Sequence, residues 1–209
     1  VPLGAAECQC SVFVECGDGE AEVVVDPFGL EQCDVEHVGQ VVLELVAVDR
    51  IRDAGGDAVF YETDVTQDES LKRAIVAAVA RYGRLDVLMN CAGGSLVEDV
   101  PVHKMDLAIF ERTIALNLRH PFLSCRHGIP HMIASGGGSI INFSTWLAHI
   151  GVEKPAYAAA KGGLKMLTRN IASEYGAFGI QCNGIGPGYI ETPQTAPLRT
   201  PGHPFDAFI

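Results

Sequence analysis

A tyrosine and a lysine one helical turn apart are the residues of this chain best suited to chemistry. Tyr157 and Lys161 occur in the run Pro155-Ala-Tyr-Ala-Ala-Ala-Lys-Gly-Gly, and Ser144 lies thirteen residues before the tyrosine. Residues four apart share one face of a helix, so the phenol and the ammonium should point into the same space. A nearby positive charge favours phenolate and lowers the pKa of a tyrosine from its reference value of about 10. The pair is a candidate acid/base for proton exchange with an alcohol or carbonyl; the alternative is two unrelated surface residues on an alanine-rich helix.

Alternating strand and helix patterns surround this pair. The sequence predicts strands at 58–61, 85–90, 138–144 and 180–185, and helices at 71–82, 104–131 and 157–175. Before this regular series it predicts a strand at 21–26 that ends in an acid and an amphipathic helix at 38–53. Such alternation predicts right-handed βαβ units and a doubly wound parallel sheet covered by helices on both faces. In these sheets ligands bind beyond the carboxyl ends of the strands, where Asn90, Ser144 and Pro187 are expected to lie.

Composition narrows the classes of function. The 209 residues suit one α/β domain, and the formal net charge of −11 argues against nucleic acid as a partner. No apolar run reaches the roughly 18 residues needed to span a bilayer, so a membrane partner is not expected. No signal peptide is visible at Val1, although a removed leader stays open because the chain does not begin with methionine. Seven irregularly spaced cysteines favour reduced thiols and a cytoplasmic location over a disulfide framework.

Five motifs in order resemble those of the short-chain dehydrogenase/reductase family. They are Asn90-Cys-Ala-Gly, Asn117, Ser144, Tyr157-x-x-x-Lys161 and Pro187-Gly-Tyr-Ile-Glu-Thr192. The resemblance implies a single Rossmann-like three-layer α/β/α domain over residues 1–209, with 189–209 as the substrate-loop region. Within the family, residues 157–209 are most similar to the gluconate 5-dehydrogenases. This implies an NAD(P)-dependent oxidoreductase of a secondary alcohol or ketone, with a sugar acid such as gluconate or 5-ketogluconate as its small-molecule substrate.

The resemblance also implies catalytic roles for four residues. Tyr157 would transfer the proton, and Lys161 would lower the pKa of that tyrosine and hold the nicotinamide ribose. The Ser144 hydroxyl would bond the substrate oxygen and stabilise charge that develops there. Asn117 would anchor a water molecule that links Lys161 to solvent; the alternative is a helix-interior amide that bonds its own backbone.

Further residues would hold the cofactor by the same resemblance. Thr192 and the backbone of Ile190 would bind the nicotinamide carboxamide, and Asp64 and Val65 would face the adenine. The remaining cofactor contacts implied by the motifs are Asn90, Ala92, Gly93, Pro187 and Gly188, in addition to the shared residues Tyr157 and Lys161.

The front of the chain departs from the family pattern TGxxxGxG. The corresponding stretch is Leu3-Gly4-Ala-Ala-Glu-Cys8-Gln-Cys10, in which only Gly4 matches and cysteines stand where two glycines are expected. Those glycines let backbone N–H groups approach a pyrophosphate. Gly17-Asp-Gly19 is a rival loop, but it lies too close to Val23 for an intervening helix. Asp26 lies about twenty residues after Gly4, where an acid that binds the adenosine ribose is expected. This position favours NAD as the cofactor, with NADP as the alternative. The simpler explanation is an aspartate in a turn before Pro27.

The cysteines and histidines give weaker indications of function. Cys8, Cys10, Cys16 and Cys33 lack the paired spacing of structural zinc sites, so no metal is expected. Cys91, Cys125 and Cys182 are predicted to be small packing residues. Of the seven histidines, only His203 lies in the expected substrate loop.

Alternatives to the leading hypothesis stay open at this stage. Family members usually continue past Ile209 with another helix and a last parallel strand, so the sheet is expected to lack that strand. Their helices corresponding to 104–131 and 157–175 usually pair, which implies a homotetramer or homodimer. The activity could instead be the reduction of another polyol, a steroid or a 3-oxoacyl substrate. The altered glycine loop favours a different class, a catalytically silent protein of the same fold that binds a partner.

Overall fold

The computed structural model describes residues 10–17, 20–25, 48–150 and 154–190, within which six strands form one sheet. The strands are β1 (Cys10–Gly17), β2 (Glu20–Val25), β3 (Asp57–Thr63), β4 (Val87–Asn90), β5 (Gly138–Phe143) and β6 (Ile180–Ile185). Their order across the sheet is β3-β1-β2-β4-β5-β6. The strands β2, β4, β5 and β6 run parallel, and Asn90 and Asn142 lie side by side at the ends of β4 and β5. The predicted α/β class with a parallel sheet is confirmed.

The helices of the described part lie close to their predicted positions. They are α1 (Asp68–Tyr82), α2 (Leu107–Ile114), α3 (His120–Ser135) and α4 (Pro155–Tyr175), and residues 48–53 are also helical. A π-helical turn, Ala115–Arg119, joins α2 to α3, and three-residue or four-residue 3₁₀ turns occupy Val102–Lys104, Trp146–His149 and Gly176–Phe178. The expected single helix over 104–131 is therefore two α-helices joined by a wider turn. Such π turns are frequent at functional sites.

The hydrophobic core lies on both faces of the sheet, because successive residues of a strand point to opposite sides. On β3, Ala58 and Phe60 pack with Val48 and Ile51 of the helical residues 48–53. Tyr61, which is offset by one residue from Phe60, packs into the larger cluster on the other face. That larger cluster includes buried residues of α1, α3 and α4 and the strand residues Leu88, Ile140 and Ile180. The predicted layers of helix, sheet and helix are thus present.

The strand β1 is an exception to the predicted parallel sheet. It is antiparallel to β2 and to β3, with Val12 beside Val25 on one side and Tyr61 on the other. Gly17 pairs with Glu20, so only two residues connect β1 to β2. A connection this short makes a hairpin, because a parallel neighbour needs a crossover of roughly a dozen residues or more.

The hairpin places its second strand, and not β1, beside the parallel strands of the sheet. The strand next to β4 is β2, which ends at Val25. Gly4 and Asp26 themselves lie outside the described residues, as do the predicted helical residues 38–47.

Candidate active site

The carboxyl ends of β5 and β6 continue side by side beyond the regular strands. The backbone N–H of Ser144 donates to the carbonyl of Ile185 at 2.7 Å, and that of Trp146 donates to the carbonyl of Pro187 at 3.2 Å. These bonds fix the segment 144–146 beside Pro187. Ser144 and Pro187 therefore lie at the same sheet edge, as the sequence predicted.

Helix α4 brings Tyr157 and Lys161 to this edge. The Lys161 ammonium lies 5.8 Å from the centroid of the Tyr157 ring and donates to the carbonyl of Phe143 at 2.8 Å. Only 3% of Lys161 is exposed, and burial lowers its pKa to about 8. The ammonium is therefore anchored to the last residue of β5 beside the phenol.

The pKa of the Tyr157 phenol is raised in this structure, and the predicted lowering by Lys161 stays a prediction. Burial raises the pKa of Tyr157, and a hydrogen bond with the Thr145 side chain acts in the opposite direction. The cost of burying a phenolate outweighs that bond. Tyr157 is thus a protonated phenol at neutral pH in this arrangement.

The two hydroxyl side chains after β5 have different surroundings. The Ser144 hydroxyl donates to the backbone carbonyl of Lys161 at 3.4 Å. The Thr145 side chain is buried, accepts from the N–H of Leu147 at 3.3 Å and bonds the phenol of Tyr157. Sequence reasoning named Ser144 and missed Thr145.

Asn117 lies in the π turn and ties it to the loop after β4. Its amide donates to the carbonyls of Gly94 at 2.9 Å and Thr113 at 3.0 Å, and its oxygen accepts from the N–H of Gly94 at 3.0 Å. Both amide hydrogens are therefore used on the backbone, one of them on the preceding helical turn. The alternative of a backbone-bonded helix amide accounts for these bonds, and the predicted water anchor stays a prediction.

Gly93 lies between Asn117 and Lys161. Its φ is +154°, and a Cβ added there would come within 2.7 Å of the Asn117 oxygen and 3.0 Å of the Lys161 nitrogen. A side chain at this position would displace one of the two polar groups. Glycine is thus required for the loop to approach Asn117 and Lys161 this closely.

Asn90 is a core residue rather than an exposed one. It is 1% exposed, and its amide donates to Asn142 at 2.8 Å and to the Cys125 sulfur at 3.6 Å. Asn142 in turn donates to the Thr168 hydroxyl on α4 at 2.9 Å. This chain of bonds joins β4 to β5 and β5 to α4, so any contact of Asn90 with a cofactor must come from its backbone.

An acid that the sequence analysis did not select holds the start of α4. Asp99 is 1% exposed, and its carboxylate accepts from the backbone N–H groups of Ala156 at 3.2 Å and Tyr157 at 2.9 Å. Lys154 makes the reverse connection, donating to the carbonyls of Leu96 at 3.0 Å and Val97 at 3.2 Å. The two residues couple the loop after β4 to the helix that carries the phenol. Asp99 caps this helix from 58 residues away in sequence, so local capping patterns gave no signal.

The other predicted cofactor residues fall into three groups. Asp64 uses its carboxylate on the backbone and hydroxyl of Thr66, at 2.8 Å and 2.7 Å, while Val65 is fully buried and offers only its backbone. Ala92 is buried, whereas Ile190 is 59% exposed and Gly188 has no atom within 4 Å of where a Cβ would stand. Gly4, Asp26, Thr192 and His203 lie outside the described residues.

His120 is a buried neighbour that the chemistry predicted from the sequence does not use. Burial lowers its pKa to about 3, and the positive charge of Lys161 adds to this effect. The carbonyls of Leu116 and Ala92 lie close enough to oppose the shift weakly, but neither ring nitrogen makes a hydrogen bond within the described residues. The imidazole is therefore neutral.

The described residues contain neither a metal-binding cluster of side chains nor a membrane-spanning helix. Within residues 10–17, 20–25, 48–150 and 154–190, no group of three or more His, Cys, Asp or Glu side chains could hold a metal ion. The side chains of the four N-terminal cysteines lie outside the described positions. Helices long and apolar enough to cross a bilayer are absent from the same ranges. Cys125 and Cys182 are buried, as predicted for packing residues, and burial raises the pKa of their thiols to about 12 and about 11.

Comparison with known proteins matches most of the chain to one family. A family model for short chain dehydrogenases matches residues 22–202. A 2-dehydro-3-deoxy-D-gluconate 5-dehydrogenase of Formosa agariphila is 40% identical over 156 residues, covering 74% of this chain and 58% of that protein. A cis-4-hydroxycyclohexanecarboxylate dehydrogenase of Sinomonas cyclohexanicum is 40% identical over 149 residues, covering 71% and 59%.

A solved structure shares the same fold. An NAD⁺-bound xylitol dehydrogenase has a TM-score of 0.62 and 27% identity, covering 65% of this chain and 52% of that one. The chain spans just under three fifths of the length of the two curated relatives.

Proposed function

Because the chain belongs to the short-chain dehydrogenase family, we propose that it transfers hydride between a nicotinamide cofactor and a secondary alcohol or ketone. The observation that carries the proposal is the buried Lys161 ammonium beside the Tyr157 ring at the carboxyl end of β5. A positioned phenol next to a cation suits proton exchange with an alcohol oxygen.

The proposed proton donor and acceptor is Tyr157. Because burial raises its pKa, the phenol holds its proton at neutral pH and can donate it to a ketone oxygen. Oxidation of an alcohol needs the phenolate, which the hydrogen bond from Thr145 stabilises. A hydroxyl after β5, Ser144 by the family pattern, would bond the same substrate oxygen.

The residues at this edge fit a nicotinamide nucleotide, which supplies the hydride acceptor or donor when bound. Lys161 has three donors, and the described contacts use one on Phe143, so two are left for ribose hydroxyls. The loop Ala92–Gly93 and the backbones of Asn90 and Val65 border the same edge. The same sheet edge is bordered on the β6 side by Pro187, Gly188 and Ile190. Asp64 follows β3 directly.

The choice of cofactor rests on residues outside the described ranges. An acid at Asp26 would repel a 2′-phosphate, which supports NAD over NADP. Gly4 and Thr192 remain predicted contacts. Parallel titrations with NADH and NADPH would decide the preference, and tighter binding of NADPH would contradict the role given to Asp26.

For the substrate we favour a sugar acid such as gluconate or its 5-keto form. The likeness of residues 157–209 to gluconate 5-dehydrogenases and the 2-dehydro-3-deoxy-D-gluconate 5-dehydrogenase relative support this choice. The hydroxycyclohexanecarboxylate dehydrogenase relative supports a wider class, since both names describe a carboxylic acid that also carries an oxidisable alcohol. A panel should therefore include linear sugar acids, cyclic hydroxy acids and the matching alcohols without a carboxylate.

A second candidate is a catalytically silent protein of this fold. The observation in its favour is the two-residue link between β1 and β2, which replaces a strand–helix–strand unit at the edge where a nucleotide would bind. Such a protein would keep the fold and lose the cofactor.

Titration with NADH separates the two candidates. Trp146 is the only tryptophan of the chain and follows β5 directly, so bound NADH should quench its fluorescence. Saturable quenching together with turnover supports the enzyme, and no binding at millimolar NADH or NADPH would contradict it and favour the silent alternative.

The proton-transfer role has its own matched pair of variants. Tyr157→Phe should retain NADH binding and lose about 10²–10⁴-fold in turnover, the usual contribution of general acid/base catalysis. Tyr175→Phe makes the same change at the other end of α4 and should retain turnover. Near-normal turnover in Tyr157→Phe would contradict the assignment.

Assembly and location are parts of the same proposal. Exposed apolar side chains on α2, α3 and α4, namely Phe110, Phe122 and Met166, support pairing of these helices in a homodimer or homotetramer. A cytoplasmic location rests on the reduced thiols expected from the sequence.

A further inference from the structure

A second lysine lies one helical turn before Tyr157, as Lys161 lies one turn after it. Lys154 immediately precedes α4, and Lys154, Tyr157 and Lys161 follow one another at intervals of three and four residues. Residues at these intervals are neighbours on one face of a helix. Lys161 is 3% exposed and bonded to the carbonyl of Phe143, whereas Lys154 is partly exposed. The phenol is therefore flanked along the helix by one buried cation and one accessible cation.

The Lys154 ammonium is fixed on a turn in the loop after β4. It donates to the carbonyls of Leu96 at 3.0 Å and Val97 at 3.2 Å. The same Leu96 carbonyl accepts from the N–H of Asp99 at 3.2 Å, which closes a four-residue turn. The ends of such a turn lie within about 7 Å of each other. Because the Asp99 carboxylate accepts from the N–H of Tyr157 at 2.9 Å, this one turn holds the ammonium close to the residue that carries the phenol.

Part of the hydrogen-bonding capacity of Lys154 is left for a ligand. An ammonium has three donors, and the two carbonyls use two of them. Among the residues that the structure describes, no carboxylate forms an ion pair with Lys154, the neighbouring Glu98 included, and Asp99 is used on N–H groups of α4. Two neutral carbonyls do not cancel the positive charge. A carboxylate is the ligand that matches this group, because charge-assisted hydrogen bonds are roughly twice as strong as neutral ones.

We propose that Lys154 binds the carboxylate of an acidic substrate whose alcohol or ketone oxygen lies at Tyr157. This inference rests on the proposed dehydrogenase function and names the residue that selects hydroxy acids over alcohols without a carboxylate. Lys154 takes no part in proton or hydride transfer, since its ammonium holds the end of the molecule that does not react. The carboxylate keeps its charge throughout the reaction, so the contact stabilises bound substrate and transition state equally. It should therefore act on KM rather than on kcat.

A matched pair of substrates isolates the contribution of the carboxylate. The pair is a hydroxy acid that the protein oxidises and its primary amide, for example gluconate and gluconamide, because the amide has nearly the same shape without the charge. The wild type should prefer the acid in kcat/KM by about 10–100-fold, the effect expected for one hydrogen bond to a charged group. Equal kcat/KM values for the acid and the amide would overturn the role given to Lys154.

Three variants test whether this preference comes from Lys154. Lys154→Met removes the ammonium and should raise KM for the acid by about 10–100-fold, while kcat for the acid and KM for the amide stay close to those of the wild type. Lys154→Arg keeps a cation and should retain most of the preference. Lys165→Met is the matched control and should change neither KM, because Lys165 is a partly exposed lysine of α4 that bonds His149 instead. If Lys154→Met raises KM for the acid and the amide alike, Lys154 only supports the turn and the inference is wrong.

Binding of an unreactive acid gives a readout besides turnover. Pentanoate lacks the alcohol, and ligand-observed NMR can follow its binding with and without saturating NADH, with pentanamide as the neutral comparison. Pentanoate should bind the wild type and Lys165→Met more tightly than it binds Lys154→Met. Equal binding to all three proteins would overturn the inference.

The two readouts distinguish the failure of this inference from the failure of the proposed function. If the wild type neither binds nicotinamide nor oxidises any substrate, the proposed function fails. In that case weaker binding of pentanoate to Lys154→Met than to the wild type would still support a carboxylate site at Lys154. No binding to the wild type, or no difference between the two proteins, would overturn it.

Discussion

Removal of the Asp99 carboxylate should loosen the start of α4 and with it the phenol. The carboxylate accepts two backbone N–H groups, one of them from Tyr157 itself at 2.9 Å. Asp99→Ala removes both bonds and leaves the N–H groups of a buried helix start unpaired. Asp99→Asn keeps the shape and one acceptor oxygen, so it should retain part of the cap.

The magnitude follows from burial. Loss of an N-cap to alanine costs about 0.5–2 kcal/mol, and a hydrogen bond to a charged group contributes about 1.5–3 kcal/mol. At 1% exposure, water cannot readily replace the carboxylate. We therefore expect Asp99→Ala to lower the free energy of unfolding by about 3 kcal/mol, and Asp99→Asn by about half as much.

Asp106 provides the matched control. It caps α2 in the same way, accepting from the N–H of Ala108 at 2.9 Å, but it is exposed. Asp106→Ala should cost only about 1 kcal/mol or less, since water can take over the bond.

Urea unfolding followed by far-UV circular dichroism measures all three variants. Turnover of the folded Asp99→Asn protein should fall mainly in kcat, because the phenol moves while Lys161 stays bonded to the Phe143 carbonyl. Equal destabilisation by Asp99→Ala and Asp106→Ala would refute the reasoning from burial. An unchanged kcat in Asp99→Asn would refute the link between the cap and the phenol.

Three further perturbations test other contacts. Gly93→Ala should lower the free energy of unfolding by about 1–3 kcal/mol, because its Cβ would lie 2.7 Å from the Asn117 oxygen. Gly162→Ala is the control and should be neutral or stabilising, because an added Cβ there would meet no atom within 4 Å beyond the backbone of its own helix. Equal effects of the two substitutions in urea unfolding would contradict this reasoning. Burial lowers the pKa of Lys161 to about 8, so the unfolded chain binds more protons between pH 8 and about 10.5. The stability of the wild type relative to Lys161→Met should therefore rise by about 3 kcal/mol across that window, and a flat or falling difference would contradict the burial of the charge. Phe122→Asp should reduce the molar mass measured by light scattering if α3 pairs with a second copy, whereas an oligomer that keeps its mass would show that this face is not the contact.

Much of the fold was readable from the sequence because strand and helix periods recur regularly after residue 56. The strand Ile180–Ile185 and the end of α1 at Tyr82 match their predicted limits. At Gly83, φ is 80°, a left-handed conformation that glycine adopts without strain and that ends the helix. Local signals of this kind are contained in the sequence itself.

The sequence also contains a signal for the hairpin of β1 and β2. Alternating or continuous valines lie on both sides of Asp18-Gly19, and Asp-Gly between two such runs is a strong hairpin signal. The spacing already excluded an intervening helix, and an antiparallel pair is what that spacing allows.

The contacts that complete the candidate site could not be read in this way, because they join distant parts of the chain. Asp99 meets Tyr157 across 58 residues, and Gly94 meets Asn117 across 23. The different partners of the Ser144 and Thr145 side chains depend on which way the extended backbone is turned, and a shift of one residue reverses that direction. Motif spacing alone does not show which way each hydroxyl points.

These long-range contacts converge on one loop, the segment between β4 and residue 99. The π turn binds it at Gly94, Lys161 approaches it at Gly93, and the start of α4 is tied to it through Asp99. The loop therefore sets the separation of the ammonium from the π turn and the position of the phenol at the same time. For this reason substitutions in the loop should disturb acid/base chemistry more than exposed substitutions within α4, although the loop itself supplies no side chain that exchanges a proton.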